Sequence, residues 1–578
     1  MREISTDILI LGSGGAGLFA ALHAHKAAPE LSITVAVKGL LGKCGCTRMV
    51  QGGYNVALAK EDSVERHFMD TVEGGKWLAH QELAWKLVTL AIERIRELEN
   101  ELGCFFDRNP DGTVHQKAFA GQSFDRTVHK GDLTGIEIVN RLAEQVWARN
   151  IARLEEHRAV ELVRNRAGDA LSGALLIDMR LGEFVFVRAK AVLLATGGGP
   201  TMYKYHTPSG DKSCDGLAMA LRAGLRLRDM EMVQFHPTGL LAGPHTRMTG
   251  TVLEEGLRGA GGYLLNGAKE RFMQNYDEEL ERATRDIVSR AMFTEMRAGR
   301  VSPNGGLYIS MSHLGPKNVR KAFKGMVERC ADCGFDLAGG VVEVVPTAHY
   351  MMGGVEFDPA CRTALPGLFV AGEDAGGVHG ANRLGGNGVA NSTVFGAVAG
   401  DTMAEWLKRE GRKAPDPDRG VIDAALEHCE RPLARSPKGG AAANALEPLR
   451  ERLFDVMWEK VGIIREAAQL ADASSELAAI NVELSVCALG STGRAYNLSW
   501  HDWMNLKSLV EVSGVIAQAA QARKVSCGAH FRSDFPQAGP LERSAFTSAC
   551  RAGEKFEIEM KPVAFTRVKP GQSLLVAA

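Results

Sequence analysis

The chain contains no run of 18 apolar residues, which excludes a membrane-spanning helix of ordinary length. It has almost no net charge: 68 Lys and Arg against 69 Asp and Glu leave −1, so nothing favours nucleic acid or an anionic membrane as a partner. The opening residues, MREISTDILILGSGGAG, show no basic segment, hydrophobic segment or small-residue cleavage site, so no secretory signal is expected. No repeat or low-complexity tract stands out. The 11 cysteines are odd in number and scattered, which does not describe a disulfide framework, and a reducing cytoplasm is the expected compartment. Cys330 and Cys333 form the only CxxC, without the second pair that zinc or an iron–sulfur cluster would need, and there is no CxxCH for haem. No metal site is expected.

Glycine, by contrast, is abundant, with 65 residues clustered in short loops after apolar runs. TDILIL (6–11) reads as a buried strand and Gly12-Ser13-Gly14-Gly15-Ala16-Gly17 as a tight turn. An Ala/Leu-rich helix then runs to Ala28, and ITVAV (33–37) is the next strand. In that context the glycines let backbone approach a pyrophosphate, with a helix N-terminus behind it. The second strand ends in Val37-Lys38, so Lys38 stands where an acid usually holds the NAD ribose. ATGGGP (195–200), with Gly197 and Gly198, and VAGEDAGG (370–377) end two further strands in glycine turns, and Glu373 is placed for a ribose. Ordinary strand termination explains any one turn; three of them point to FAD.

The rest of the chain divides by composition. QELAWKLVTLAIERIRELENEL (81–102) has helical spacing, and FVFVRAKAVLLATGGGP (184–200) reads as paired strands entering the second glycine turn. A mixed helix and strand region covers 236–350. PKNVRKAFKGMVERCADCG (316–334) reads as a helix carrying the CxxC pair, for which a structural role is expected. GRKAPDPDRG (411–420) and RSPKGGAAAN (435–444) look like linkers. Two amphipathic segments (446–471 and 505–524) follow, and the last thirty or so residues look irregular.

Four stretches in the middle carry chemistry: VQFHPTG (233–239), LEEGLRGAGG (253–262), ATRDIVSRA (283–291) and PTAHYMMGG (346–354). HGANRLGGNG (379–388) follows the third glycine turn. Histidine beside Pro or Ala in glycine-flanked loops is unusual for packing, and a buried guanidinium needs a partner or a bound anion. Any one of these residues alone is more often structural. Together His236, Arg285, His349 and Arg383 offer donors enough for two carboxylates.

QFHPTG, PTAHYMMGG and HGANRLGGNG together resemble the flavoprotein subunits of succinate dehydrogenase and fumarate reductase, a family that includes L-aspartate oxidase. The resemblance runs from the first strand through SCGAHFRSDFP (526–536). It implies an α/β fold: a doubly wound FAD-binding domain (1–235 and 351–410) interrupted by an α+β capping domain (236–350). A helical domain (420–540) and a C-terminal tail (541–578) follow. It also implies that His236, His349 and Arg383 grip the substrate carboxylates. Arg285 would exchange the proton with Glu255 and Arg258 as its relay, while hydride passes at flavin N5. The implied cofactor set comprises Gly12, Ser13, Gly14, Gly15, Ala16, Gly17, Lys38, Cys46, Thr47, Gly52, Gly53, Gly197, Gly198, Asp215, Glu373, Arg383, Gly386 and Asn387.

Within GKCGCTRMVQGG (42–53), Cys46 stands about where the succinate and fumarate enzymes commonly carry a histidine bonded to the flavin. A non-covalent FAD is therefore expected, with Cys44 and Cys46 as small loop residues beside it. Phe119, in AFAGQS, lies where L-aspartate oxidases place a Glu, and it favours a dicarboxylate without an amine. Glu254 replaces a Thr or Ser hydroxyl. It faces a dianion with repulsion unless it turns into a salt bridge, is protonated, or meets an amine or hydroxyl on the substrate. Gly388 and Asn391 alter the small polar residues usual after Arg383. The leading expectation is interconversion of a succinate/fumarate-like pair. L-aspartate oxidase is the alternative, and a catalytically silent flavin-binding subunit is a third reading that the four His and Arg residues oppose. With no cluster or haem in the chain, electrons would pass to an iron–sulfur subunit or a small acceptor. The protein would be cytoplasmic, or held at the inner membrane face through its partner.

Overall fold

A computed structural model describes residues 1–243, 246–410, 413–434, 446–553 and 555–575. The expected linker at 435–444 lies outside these residues, as do the first two positions of the one at 411–420.

The first apolar run forms strand Arg2–Leu11. Its successive side chains point to opposite faces, as strand geometry requires. Ile8 and Ile10 join the core that contains helix Gly15–Ala27, and Leu9 and Leu11 join the core on the other face. A strand covered on both sides has no polar alternation, which is why the run reads as continuous apolar sequence. Ile33–Ala36 and Glu183–Leu194 flank it in parallel. Ala152–Leu154 and Leu368–Val370 extend the parallel set outward, and His157–Arg164 and Leu171–Asp178 add an antiparallel meander.

Register decides where the ligand-binding loops fall. Leu11 pairs with Ala36 and Leu194, and Leu194 pairs with Val370, so four strands end in one row. The next residues continue the ladder, with Gly12 N–H donating to Ala36 O at 2.8 Å and Ala195 N–H to Leu11 O at 2.9 Å. Ala371 N–H donates to Leu194 O at 3.0 Å. The three glycine turns therefore open side by side at the carboxyl ends of parallel strands, the edge where open α/β sheets bind ligands.

The faces are covered differently. Helices Gly15–Ala27 and Asn387–Glu410 cross so closely that a Cβ on Gly396 would stand 2.6 Å from Ala16 O. The opposite face carries Asp215–Arg222 and the C-terminal helices Leu446–Lys460, Ala467–Val486 and Leu498–Ala522, with Trp500 and Trp503 buried among them. A separate antiparallel sheet orders Val233–Leu240, Val341–Met351, Leu307–Ser310 and Tyr263–Leu265, with helix Arg285–Arg297 against it. The architecture is α/β with a parallel-strand sheet and a C-terminal helical region.

Three expectations need correction. Residues 184–200 form not a strand pair but one strand, Glu183–Leu194. Arg188 and Lys190 alternate there with buried Ala189 and Ala191, the period of a continuing strand. The helix expected over 316–334 breaks at Phe323 (φ −127°, ψ 41°) into Pro316–Ala322 and Lys324–Asp332. The irregular tail contains a hairpin, Ala545–Ala552 with Lys555–Pro562, paired to Leu227–Arg228. KFEIEMKP alternates charged and apolar residues at a largely exposed sheet edge, so it forms no apolar run although its period is that of a strand.

Gly12 has φ +114°, and a Cβ there would lie 2.1 Å from Ala195 O. Gly12→Ala is expected to lower stability by at least about 1–3 kcal/mol, read as a lower Tm. Gly112→Ala, at φ +85° with nothing within 4 Å, isolates the conformational part and should lose less.

Candidate active site

The row of strand ends and the strands Val233–Leu240 and Val341–Met351 border a cavity of about 730 Å3, within the usual size range of cofactor sites. Gly14, Gly15, Ala16, Cys46, Thr47, Gly52, Gly53, Gly197, Glu373 and Gly386 line it, together with Phe119, His236, Glu254, Glu255, Arg285, His349 and Arg383. Helix Gly15–Ala27 starts at this wall with Gly14 as N-cap, no side-chain cap bond and no acid in its first turn. A helix start of that kind suits a phosphate. Thr47 from the 42–53 loop accepts from Gly15 N–H at 3.1 Å, which ties that loop to the turn.

Other residues of the expected cofactor set lie behind the wall. A Cβ on Gly17 would be 2.0 Å from Gly12 O, and one on Gly198 would be 2.9 Å from Met351 Cγ, so both glycines serve close packing. Ser13 Oγ sits 4.0 Å from Cys44 Sγ. Lys38, Asp215 and Asn387 do not line the cavity and are held by other protein groups. Lys38 Nζ donates to Asp215 Oδ2 and Ser213 Oγ, both at 3.0 Å, and Arg158 Nη2 donates to Asp215 Oδ1 at 2.7 Å. This partly buried ion-pair cluster reaches Asn505 of the C-terminal helices. Asn387 is held by Asn55, His67 and Thr71.

The charged centre is compact. Arg285 is the first residue of its helix, and its Nη2 donates to Glu255 Oε2 at 2.6 Å, its Nε to Glu255 Oε1 at 3.3 Å and its Nη1 to Gln234 Oε1 at 3.0 Å. Arg258, fully buried and set back from the cavity, donates to Glu255 Oε1 at 3.0 Å and to Glu281 O at 2.7 Å. Burial alone would raise the Glu255 carboxyl, but the guanidinium of Arg285 and then that of Arg258 hold it down at about 2. Burial, and then repulsion from Arg285, brings the Arg383 guanidinium to about 10. It stays cationic at neutral pH.

His236 and His349 lie with ring centroids 5.5 Å apart on the paired strands. Burial first, and the guanidinium of Arg285 next, hold both rings neutral by pushing their pKa well below the ordinary value. His236 Nδ1 accepts from Thr238 N–H at 3.3 Å, and Thr207 Oγ1 is hydrogen-bonded to His349 Nδ1 at 2.8 Å. Phe119 fits because a Cβ on Gly52 would be 2.4 Å from its Cζ and one on Gly385 would be 2.6 Å from its Cδ2. Glu254 pairs with Lys117 Nζ at 3.4 Å while still lining the cavity. Burial raises its carboxyl against the pull of Lys117.

Several lining or supporting residues were not among the expected ones: Thr207, Lys212, Gln234 and Tyr350. Lys212 Nζ donates to Thr196 O at 3.0 Å and brings a cation beside Cys44 and Cys46. Gln234 and Tyr350 lie within the VQFHPTG and PTAHYMMGG stretches, which the sequence does signal. Nothing in YHTPSGDKS (205–213) marks Thr207 or Lys212.

A dinucleotide cradle beside a buried cationic pocket defines a flavoprotein oxidoreductase. A family model described as FAD binding domain matches residues 7–389, and one described as fumarate reductase flavoprotein C-term matches 450–574. The chain is 33% identical over 545 residues to the 8-methylmenaquinol:fumarate reductase flavoprotein subunit of Wolinella succinogenes, covering 92% of this chain and 86% of that one. It is 33% identical over 552 residues to the fumarate reductase flavoprotein subunit of Escherichia coli, covering 92% and 89%. A solved structure of E. coli quinol fumarate reductase FrdA matches with TM-score 0.91 at 31% identity, covering 99% of each chain. The chain belongs to the fumarate reductase and succinate dehydrogenase flavoprotein family, and its cofactor is FAD.

Burial, with Glu373 nearby, pushes the Cys46 thiol up to about 12, so it stays protonated at neutral pH and is a poor nucleophile. Acid precipitation of the purified holoprotein is expected to leave FAD in the supernatant. A yellow pellet would mean a covalent anchor.

Proposed function

We propose that the protein interconverts fumarate and succinate, or a dicarboxylate pair closely like them, on a non-covalently bound FAD. The observation that carries this reading is charge. Arg258, Arg285 and Arg383 are buried around the carboxylate of Glu255, Lys212 and Glu373 add one cation and one acid to the cavity wall, and both histidines are neutral. Two positive charges are left, the complement of a dicarboxylate dianion. Glu254 lies beside Lys117, whose cation offsets the Glu254 charge once that carboxyl ionises.

FAD, when bound, supplies the two-electron and hydride chemistry. The chain's own residues hold the substrate and move the proton. Arg383 grips one carboxylate, and His236 and His349 donate neutral N–H bonds that polarise the double bond without adding charge. Arg285, fixed by Glu255 and Gln234, gives the proton to the neighbouring carbon when fumarate is reduced and takes it when succinate is oxidised. Glu255 links Arg285 to Arg258, which touches Glu281 O, and the Glu281 carboxylate pairs with partly exposed Arg271. That chain is the proposed route to solvent.

Relatives are named as flavoprotein subunits, and an iron–sulfur subunit is the proposed electron partner. Among the described residues no helix is long and apolar enough to cross a membrane, so any seat at the inner membrane face would come through that partner. Otherwise the enzyme is cytoplasmic.

The reading is tested by reducing the holoenzyme anaerobically and adding fumarate: stoichiometric reoxidation with succinate formed is expected. Ammonia release from aspartate without fumarate turnover would favour L-aspartate oxidase instead. Arg285→Met is expected to lower kcat for fumarate by about 10²–10⁴-fold, with flavin content unchanged. The Glu254 carboxyl is raised, so it is neutral below its folded pKa and gains a charge that opposes a dianion as pH rises through it, with Lys117, Asp132 and Arg329 as its charged neighbours. KM for fumarate should rise across that step. Glu254→Gln should flatten the profile and lower KM on the alkaline side.

A further inference from the structure

Arg383 is buried and has few partners. Its Nη1 donates to Leu384 O at 3.2 Å, and its Nε has no partner among the described residues. Its guanidinium carbon instead lies 4.5 Å from the centroid of the Tyr350 ring. Near the pair, a Cβ on Gly388 would come within 3.0 Å of Arg383 Nη1, 3.4 Å of Arg383 Cζ and 3.3 Å of Tyr350 Cε2. The guanidinium therefore lies in a slot shaped by an aromatic face and by the missing side chain of a glycine.

The slot is itself held. The Tyr350 hydroxyl accepts from Asn391 Nδ2 at 3.2 Å and lies 3.4 Å from His379 Nε2, while Asn391 Nδ2 also donates to Gly372 O at 3.2 Å. Gln234 pairs with Tyr350 across the strands, and its Nε2 donates to Arg383 O at 2.7 Å. Backbone and side chain of Arg383 are thus fixed from the same strand pair. Gly388 and Asn391, the positions that depart from small polar residues in the sequence, are the ones that make and brace the slot.

We propose that Tyr350, braced by Asn391 and given room by Gly388, is the positioning residue for Arg383. It fixes the guanidinium plane by stacking, so that the remaining N–H groups face a substrate carboxylate. The inference rests on the dicarboxylate reading above. A guanidinium held by a ring face keeps its in-plane donors free for bidentate carboxylate recognition, which hydrogen bonds to protein groups would consume.

The test uses FAD-loaded enzyme and malonate, a short dicarboxylate that cannot be reduced, with binding read from the flavin absorbance change. Tyr350→Phe keeps the ring and should bind malonate within about 2–3-fold of wild type, whereas Tyr350→Leu should bind about 5–30-fold more weakly. KM for fumarate should follow the same order more strongly than kcat does. Gly388→Ala should also weaken malonate binding while Tm is held or raised, since Ala suits a helix better than Gly. A merely structural glycine would lose Tm instead. Equal binding by Tyr350→Leu and wild type, equal losses in the Phe and Leu variants, or Gly388→Ala with unaltered malonate affinity would each overturn the proposal. If Tyr350→Leu loses its flavin, Gly388→Ala and Tyr350→Phe decide. A wild type that binds malonate yet never reduces fumarate would sink the proposed reaction and leave the slot to be judged by the variants. A wild type that binds no malonate would sink both.

Discussion

The bond between Glu255 and Arg285, closed at 2.6 Å between side chains less than a tenth exposed, is the contact on which the substrate cavity depends. Arg285 begins a helix, where the backbone dipole already presents positive charge. Arg258 and Arg383 add like charge in the same buried space. Without Glu255 these guanidiniums would repel one another in a poorly hydrated region, and removing one partner of such a pair costs about 3–5 kcal/mol. Glu255 offers one oxygen to both arginines and the other to Arg285 alone, so neither guanidinium is fully neutralised. Burial first, and that remaining charge next, keep His236 and His349 neutral, which makes them hydrogen-bond donors and not competing cations.

The fold supplies these groups from distant parts of the chain through one strand pair. Val233–Leu240 carries Gln234 and His236, and Val341–Met351 carries His349 and Tyr350. Their register shifts at Gln234/Phe235 and His236/Gly239 bring the two imidazoles together. Gln234 then joins Arg285 on one side to the Arg383 backbone on the other, so the two arginines share a ruler one side chain long. On the cofactor side, the row Leu11, Ala36, Leu194 and Val370 does the equivalent work for three glycine turns. Lys117 to Glu254 is an ion pair between segments far apart in sequence, and Asp132 packs so tightly on Gly325 that a Cβ there would meet its Oδ2 at 2.1 Å.

What the sequence reveals is the part written in short-range pattern. The first strand, turn and helix are legible because apolar run, glycines and helix formers follow one another within thirty residues. The His and Arg residues of the cavity are legible because their flanking motifs are distinctive. Lys38 and Asp215 are not decided by pattern, since a charged residue after a strand or at a helix start looks the same whether it meets a ribose or another charge. Only the fold brings Arg158 and Asn505 to them. Thr207 and Lys212 sit in a loop without pattern, and the edge hairpin after Ala545 is hidden because a solvent-facing strand needs few apolar residues. The same limit applies to Gly388. Its sequence neighbours show only that a side chain is missing; the structure shows what the space admits.

Surplus charge also explains why stability and recognition are opposed here. Two uncompensated guanidiniums weaken the fold on their own, and the buried tryptophans, the crossing helices and the Glu255 contact must offset them. A bound dianion removes that repulsion, whereas a monoanion leaves one charge unanswered in a cavity with little water to screen it. On the proposed reading, discrimination against substrates with one carboxylate would therefore come from the protein's own unpaired charge and would require no steric exclusion. Phe119 contributes at the other extreme: its ring, seated against Gly52 and Gly385, gives an ammonium no carboxylate to meet, while the nearby acid, Glu254, is already held by Lys117. On the reading proposed above, the pocket would select for two negative charges because Arg258, Arg285 and Arg383 outnumber the Glu255 carboxylate that lies among them.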